Sequence, residues 1–322
     1  MLVVEIHRHG GPEVLETADR PTPEPGAGEI LIRHRAIGLN FIDTYLRSGL
    51  YPVSLPAILG SEGSGVVEAV GEGVSRFKVG DRAAYAGGSG AYAEARVYKA
   101  DRAVHVPDGI SDEVAAAVML KGMTAEYLLR RCFRVEPGHT VLVHAAAGGA
   151  GGFLVQWAKA LGARVIGTTG SPEKAALARS FGADEVILYR HEDVVEGVWT
   201  LTGGRGVDVV YDSVGKDTFE GSLASLKRRG WLVAFGNASG PAPPVDPLRL
   251  MRGGSLVLTR PSLADYTATT EELDACAGAV FEAIRSGAIK PQIGQRFPLA
   301  EVAQAHRVLE SRATVGATVL TP

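Results

Sequence analysis

The clearest chemistry in this chain lies where an apolar run ends in a cluster of glycines. Thr140-Val-Leu-Val-His-Ala-Ala-Ala-Gly-Gly-Ala-Gly-Gly152 leads straight into Phe153-Leu-Val-Gln-Trp-Ala-Lys159, the pattern of a buried strand, a tight turn and a helix. Backbone N–H groups at such a helix start bind a pyrophosphate, and the helix dipole adds to the attraction. Glycine is needed because a Cβ would hold the backbone off the phosphates and the helix off the strand. The spacing, Ala145 followed by Gly148, Gly149 and Gly151, departs from a strict G-x-G-x-x-G. A glycine cluster alone reads as an ordinary strand-to-helix turn; between a strand and a helix it reads as a dinucleotide site.

The next strand decides which dinucleotide. A site for NAD places an acid about 20 residues on, against the ribose 2′-hydroxyl. Here the strand end reads Gly167-Thr-Thr-Gly-Ser171, with no acid. Ser171 and Pro172 suit an N-cap followed by proline at the first helical position, and Lys174 falls in the first turn. A helix start with Ser and Lys suits a 2′-phosphate, so NADPH is the expected cofactor. Taken alone, Lys174 reads as a solvated surface lysine; the missing acid reverses that. Tyr189 ends the third strand and either stacks on the adenine, touches the phosphate or packs in the core.

Other chemistries lack their residues. Cys132 and Cys276 are too few for a disulfide framework or a cysteine-built metal site. The eight histidines show no metal spacing, and His191-Glu192 lacks the second His of H-E-x-x-H. The net charge is −3, with 25 Arg and 8 Lys among the basic residues, so no basic field points to nucleic acid or an anionic membrane. No run approaches the 18 or so apolar residues of a membrane span. Glu5 and His7 interrupt the stretch a signal peptide would need. A cytoplasmic protein is expected.

Two textures position these motifs. Up to about residue 125, short β-type runs such as 29–36, 65–71 and 91–97 alternate with Gly and Pro, as in a β-rich barrel or sandwich. From about 125 to 290 the rhythm is strand, turn, helix. Strands are expected at 140–144, 163–168, 185–189, 207–212, 231–236 and 255–259. Helices are expected near 150–161, 173–182, 191–201, 216–228 and 246–253. The fold class is therefore α/β, with six parallel strands in two mononucleotide-binding halves. A helix at 299–310 and a β-type run at 314–320 close the chain, and that tail is free to return to the first domain. The 41 glycines among 322 residues, against a usual level of about 7%, follow no repeat.

With these motifs in place, the segment Gly60 to Arg82 (GSEGSGVVEAVGEGVSRFKVGDR) and the glycine turn resemble the medium-chain dehydrogenase/reductase superfamily. The run 137–159, with Gln156 and Lys159, is similar to its quinone oxidoreductase (zeta-crystallin) branch. AIGLNFIDTY at 36–45, RSGLYP at 47–52, YDSVG at 211–215, FGNASG at 235–240 and ESRAT at 310–314 extend the likeness over the whole chain. The resemblance implies a GroES-like catalytic domain, 1–124 and 292–322, and a doubly wound Rossmann domain, 125–291, with a cleft between them. It places Asn40, Asp43 and Tyr45 beside the nicotinamide and Tyr51 near the cleft mouth, with Phe41, Ile42 and Thr44 around them. Thr124 and Tyr127 fall on the nicotinamide side. Gly148, Gly149 and Ala150 fall under the pyrophosphate, and Gly170, Ser171, Lys174 and Tyr189 around the 2′-phosphate. Val214 and Gly236, Asn237, Ala238 and Ser239 follow the ribose and nicotinamide, and Arg312 is a phosphate clamp. Without the resemblance, Asp43 and Tyr45 read as turn and core residues and Arg312 as a surface arginine.

Zinc alcohol dehydrogenases of the same superfamily use Cys and His ligands. Their Gly-His-Glu stretch reads Gly60-Ser61-Glu62 here, and Asn40 takes the Cys position, so no metal and no zinc mechanism is expected. Glu62 reads as a buried structural carboxylate paired with an arginine. Hydride transfer without a metal fits acceptors that are already electrophilic. The expected activity is NADPH:quinone oxidoreduction. The alternatives are reduction of an enal or enone, and a non-catalytic NADPH-binding crystallin-like protein, which would show a damaged cofactor site. The apolar run 255–259 at the sheet edge points to a homodimer.

Overall fold

The computed structural model describes residues 1–311 and 314–322. The chain divides into two compact units, one of Met1–Met123, Thr267–Glu282 and Pro291–Pro322, the other of Thr124–Tyr266 and Ala283–Lys290.

The first unit begins with β1 (Leu2–Ile6), β2 (Glu16–Asp19) and β3 (Glu29–Leu39), then α1 (Phe41–Ser48), β4 (Ala57–Ile58), β5 (Glu62–Val70), β6 (Arg82–Ala86), β7 (Ala95–Lys99), β8 (Val104–His105) and α2 (Asp112–Tyr127), whose last four residues belong to the second unit. Strands β2, β1 and β4 form a small antiparallel sheet. Strand β3 is the spine of the larger one, pairing antiparallel with β5 on one side and carrying β7 as well. Ile30, Ile32, Ile37 and Leu39 of β3 are buried with Tyr92, Phe77 and Leu59. Helix α2 escaped the sequence reading because Ala115, Ala116, Ala117, Val118, Met119 and Met123 are all buried. A helix covered on every side shows no 3.6-residue stripe. Helix α1 was also missed. It starts where the backbone N–H of Asn40 donates to the Asp43 carboxylate at 2.9 Å and stops at Gly49, whose φ of 81° is left-handed.

The second unit continues with β9 (Thr140–Val143), α3 (Gly149–Ala160), β10 (Arg164–Thr169), α4 (Pro172–Ser180), β11 (Glu185–Leu188), α5 (Val194–Leu201), β12 (Val207–Asp212), α6 (Phe219–Ala224), β13 (Leu226–Ala234), α7 (Pro247–Arg252), β14 (Val257–Thr259) and α8 (Leu263–Tyr266). Its six strands are parallel in the order β11-β10-β9-β12-β13-β14, the doubly wound order of a Rossmann sheet. The expected helix 216–228 shrinks to α6, because β13 begins five residues earlier than expected.

The chain ends with α9 (Thr270–Arg285), β15 (Ile293–Pro298), α10 (Val302–Glu310) and β16 (Ala317–Thr321). Strand β16 pairs antiparallel with β3, Thr318 opposite Leu39, so the tail does return to the first unit. Most of α9 also packs there, although the expected boundary put it in the nucleotide-binding domain. Its buried Leu273, Cys276, Ala277 and Val280 lie on one helical stripe, and Val280 occupies the space beside Gly122.

Candidate active site

At the turn after β9, Ala145 adopts a left-handed φ of 52° and its carbonyl accepts the Gly148 N–H at 2.8 Å. That carbonyl lies 2.2 Å from where a Cβ on Gly151 would stand, so only glycine permits the turn. Gly148 caps α3 without a side chain. The first N–H groups of the helix, at Gly149 and Ala150, are thus left for an anion.

Strand β10 ends at Thr169, and Gly170 and Ser171 follow without an acid; the nearest, Glu173, lies in the first turn of α4 beside Lys174. Ser171 caps α4, its Oγ accepting the Lys174 N–H at 3.4 Å, and Pro172 fills the first helical position. Tyr189 stands just beyond β11 and is 45% exposed, so it is not a core residue. Its hydroxyl lies 2.5 Å from the Cβ position of Gly170, and Arg190 Nε 3.4 Å from it. Gly170 and Tyr189 are therefore adjacent, and Arg190 joins them. The sequence reading passed over Arg190, although a cation directly after the third strand was a usable signal.

After β12 the Asp212 carboxylate accepts the N–H groups of Val214 (2.8 Å) and Gly215 (3.0 Å). Its backbone carbonyl accepts those of Phe235 and Gly236. Ser239 donates both its N–H and its hydroxyl to the Val214 carbonyl. Val214 and the run Gly236, Asn237, Ala238 and Ser239 are thus one structure at the carboxyl ends of the strands. Thr124 is half-buried near the end of α2, and Tyr127 is buried with its ring stacked on Tyr266 at 4.5 Å. Arg312 lies outside the described residues.

In the first unit, α1 carries Phe41, Ile42, Asp43, Thr44 and Tyr45, and Tyr51 follows it, its N–H bonded to the Tyr45 carbonyl and its ring 5.3 Å from that of Tyr45. Asp43 has no exposed surface. Ser61 Oγ donates to it at 2.6 Å and Tyr92 Oη at 3.0 Å, beside the Asn40 N–H. So enclosed, Asp43 fixes the start of α1 and the Asn40 backbone N–H. Burial pushes Asp43 up to about 6. Behind it, Arg47 donates to His306 Nδ1 at 2.9 Å, so the imidazole proton sits on Nε2 and points to Tyr92 Oη at 2.9 Å. These supports are scattered from residue 47 to 306, beyond any local pattern.

Asn40 Nδ2 donates to Glu62 Oε1 at 2.8 Å. The same oxygen accepts Lys121 Nζ at 2.7 Å, and Oε2 accepts the Leu120 N–H. The partner of Glu62 is thus a lysine and not the expected arginine. All three contacts are made by N–H groups, so the Glu62 oxygens are occupied by donors. Among the described residues no group of three His, Cys, Asp or Glu side chains could hold a metal ion. The residues at Asn40, Ser61 and Glu62 do not fit zinc.

A doubly wound sheet with a glycine turn at its first strand, preceded in the chain by an antiparallel β-unit, defines a medium-chain dehydrogenase/reductase. The family described as alcohol dehydrogenase GroES-like domain matches residues 26–108, and that described as zinc-binding dehydrogenase matches residues 149–275. The quinone oxidoreductase of Pseudomonas aeruginosa is 57% identical, covering 99% of both chains. The crystal structure of Escherichia coli quinone oxidoreductase complexed with NADPH is 49% identical with a TM-score of 0.98, covering 100% of both. The 2-haloacrylate reductase of a Burkholderia species is 43% identical over 100% of this chain and 99% of its own. The chain belongs to the quinone oxidoreductase branch of the medium-chain dehydrogenase/reductase superfamily. No helix among the described residues is long and apolar enough to cross a membrane.

Proposed function

We propose that this protein is an NADPH-dependent quinone oxidoreductase. The end of β10 carries the reading. Where an acid would hold the ribose of NAD, the chain offers a capped helix start at Ser171, with Lys174 in its first turn and Arg190 beside Gly170. That set attracts a 2′-phosphate, and an acid would repel it. The relative solved with NADPH supports the same cofactor.

In this reading Gly148, Gly149 and Ala150 hold the pyrophosphate, and Gly170, Ser171, Lys174 and Tyr189 the 2′-phosphate. Thr124, Tyr127, Val214, Gly236, Asn237, Ala238, Ser239, Phe41, Ile42 and Thr44 border the ribose and nicotinamide, and Arg312 is a further phosphate contact. Bound NADPH supplies a hydride, which a quinone accepts without a Lewis acid. The chain's own part is to orient and to exclude water. Glu62 and Asp43 fix Asn40, by its amide and its backbone N–H, while Tyr45 and Tyr51 form an aromatic wall. Solvent provides the proton for a reduced quinone oxygen.

The domain boundaries at 124/125 and 291/292, with Thr267–Glu282 returned to the first unit, the likeness to zeta-crystallin and a cytoplasmic location, which suits two cysteines present as thiols, belong to the same reading. So does a homodimer. Strand β14 ends the sheet order, and Leu248 and Met251 of the preceding α7 are 51% and 59% exposed, an apolar edge suited to a second copy. Sedimentation as a monomer at micromolar concentration would remove that part.

A second reading, reduction of an α,β-unsaturated carbonyl, is favoured by the relative named 2-haloacrylate reductase. Steady-state NADPH oxidation over a quinone series and an enone series separates the two. Quinones are expected to turn over faster; equal or faster enone turnover would sink the quinone assignment.

A further inference from the structure

A buried hydrogen-bonded chain crosses the carboxyl ends of the three central strands of the parallel sheet. Thr168 near the end of β10, His144 just after β9, Ser222 on α6 and Asp212 at the end of β12 are each at most 3% exposed. His144 Nδ1 is 3.0 Å from Thr168 Oγ1, and its Nε2 is 2.9 Å from Ser222 Oγ. Ser222 Oγ is 2.7 Å from Asp212 Oδ2.

The direction of every bond follows from the carboxylate end. Asp212 accepts from Val214 N–H, Gly215 N–H and the Thr218 hydroxyl, so it is filled by donors and the Ser222 hydroxyl donates as well. Ser222 has only one hydrogen, so its oxygen accepts from His144 Nε2–H. Burial pulls His144 below the ordinary histidine range and keeps the ring neutral. Nδ1 is then an acceptor, and Thr168 donates to it. The order Asp212–Ser222–His144 is not that of a nucleophilic triad, in which the imidazole stands between acid and hydroxyl.

Three of the four members sit at the root of a loop already read as part of the cofactor site, and Ser222 joins two of them from α6. Thr168 precedes Gly170 and Ser171; His144 precedes the Ala145 turn; Asp212 clasps Val214 and, through its carbonyl, Gly236. We propose that His144 is a positioning residue for the dinucleotide, coupling the 2′-phosphate turn through Thr168 to the nicotinamide-side loop through Ser222 and Asp212. The inference rests on the reading of NADPH as the cofactor. It adds that the two ends of the site are held at a set spacing by one imidazole, which no feature of the glycine motif requires.

Three variants cut the chain at different links: Thr168→Val, Ser222→Ala and His144→Phe. The measurements are equilibrium binding of NADPH and NADH to the folded protein, and kcat with a quinone. For Thr168→Val, the dissociation constant for NADPH is expected to rise about five- to tenfold. NADH binding and kcat should change by less than about twofold. Ser222→Ala is expected to weaken both nucleotides by the same factor and to lower kcat about fivefold, because the Val214 loop is released. His144→Phe combines the two effects. Thr168→Ser keeps the hydroxyl, and near wild-type NADPH preference is expected from it. It also serves if Thr168→Val fails to fold. The proposal is overturned if the variants lower the melting temperature while both dissociation constants and kcat per folded molecule stay unchanged. It is equally overturned if Thr168→Val and Ser222→Ala give the same pattern. Absence of NADPH binding by the wild type would instead overturn the cofactor reading.

Discussion

The hydroxyl of Tyr189 occupies the space that a side chain on Gly170 would need, 2.5 Å from the Cβ position. The residue after the second strand thus lies against the residue after the third, at the point where related folds choose between NAD and NADP. Gly170→Asp would place a carboxylate there and push aside a half-exposed phenol. Because Tyr189 is 45% exposed and has solvent to turn into, stability should change by less than about 1 kcal/mol. The preference for NADPH should fall at least about tenfold, read as the ratio of kcat/KM values for the two cofactors. An unchanged ratio would show that the 2′-phosphate binds elsewhere.

Lys174 is the next element of that end. Replacement by Ala removes one cation and leaves the Ser171 cap intact. A charge-assisted contact of this kind carries about 1.5 kcal/mol, or roughly tenfold in binding. Lys174→Ala should weaken NADPH by that factor and NADH by less than about twofold in direct titrations. Equal losses for both would refute the contact.

Glu62 is held by donors only, and Lys121 lies 2.7 Å from it with 9% of its side chain exposed. Glu62→Gln leaves a buried ammonium without its counter-ion, a loss of about 3 kcal/mol. Adding Lys121→Met removes the stranded charge and should recover more than half of it in denaturant titrations. If the double variant is no more stable than Glu62→Gln, the ion pair is not the source of the loss.

The pH dependence of stability follows from four buried groups, His34, His144, His306 and Asp43, with burial pulling His144 below the ordinary histidine range. Burial holds His34 at about 4 and His306 at about 3, with Arg47 adding repulsion at His306. Unfolding lets all three histidines take a proton near 6.5, so their contribution is present above about 6.5 and is lost as the pH falls. Asp43, raised to about 6, runs the other way: its contribution is full below about 4 and is lost as pH rises through 6. Between about 4 and 6 the unfolded chain takes up protons at all three histidines, while the folded chain holds one at Asp43. Stability should therefore fall by at least about 1.4 kcal/mol per pH unit of acidification. Asp43→Asn should steepen that slope and His306→Gln should reduce it, both measured by urea unfolding across the window.

Much of this fold was legible where local pattern and tertiary role coincide. The glycine turn, the Ser171–Pro172 helix start and the six strands obey short-range rules of turn and period. Helix α2 was invisible because it is buried all round, and α1 because its cap, Asp43, gains its meaning from Ser61 and Tyr92 far along the chain. The His144 chain was equally hidden, since its four members come from 144, 168, 212 and 222 and meet only when the sheet forms. Residue types gave the missing acid and the missing zinc ligands; partners such as Lys121 for Glu62 required the packing.

NADPH-dependent reduction of a quinone is tested most directly by the oxidation of NADPH and of NADH by the purified protein, with and without a simple para-quinone. Saturable, quinone-dependent oxidation is expected, with kcat/KM for NADPH at least about tenfold above that for NADH. Saturable NADPH binding without turnover of any quinone, or equal kcat/KM for the two cofactors, would contradict it.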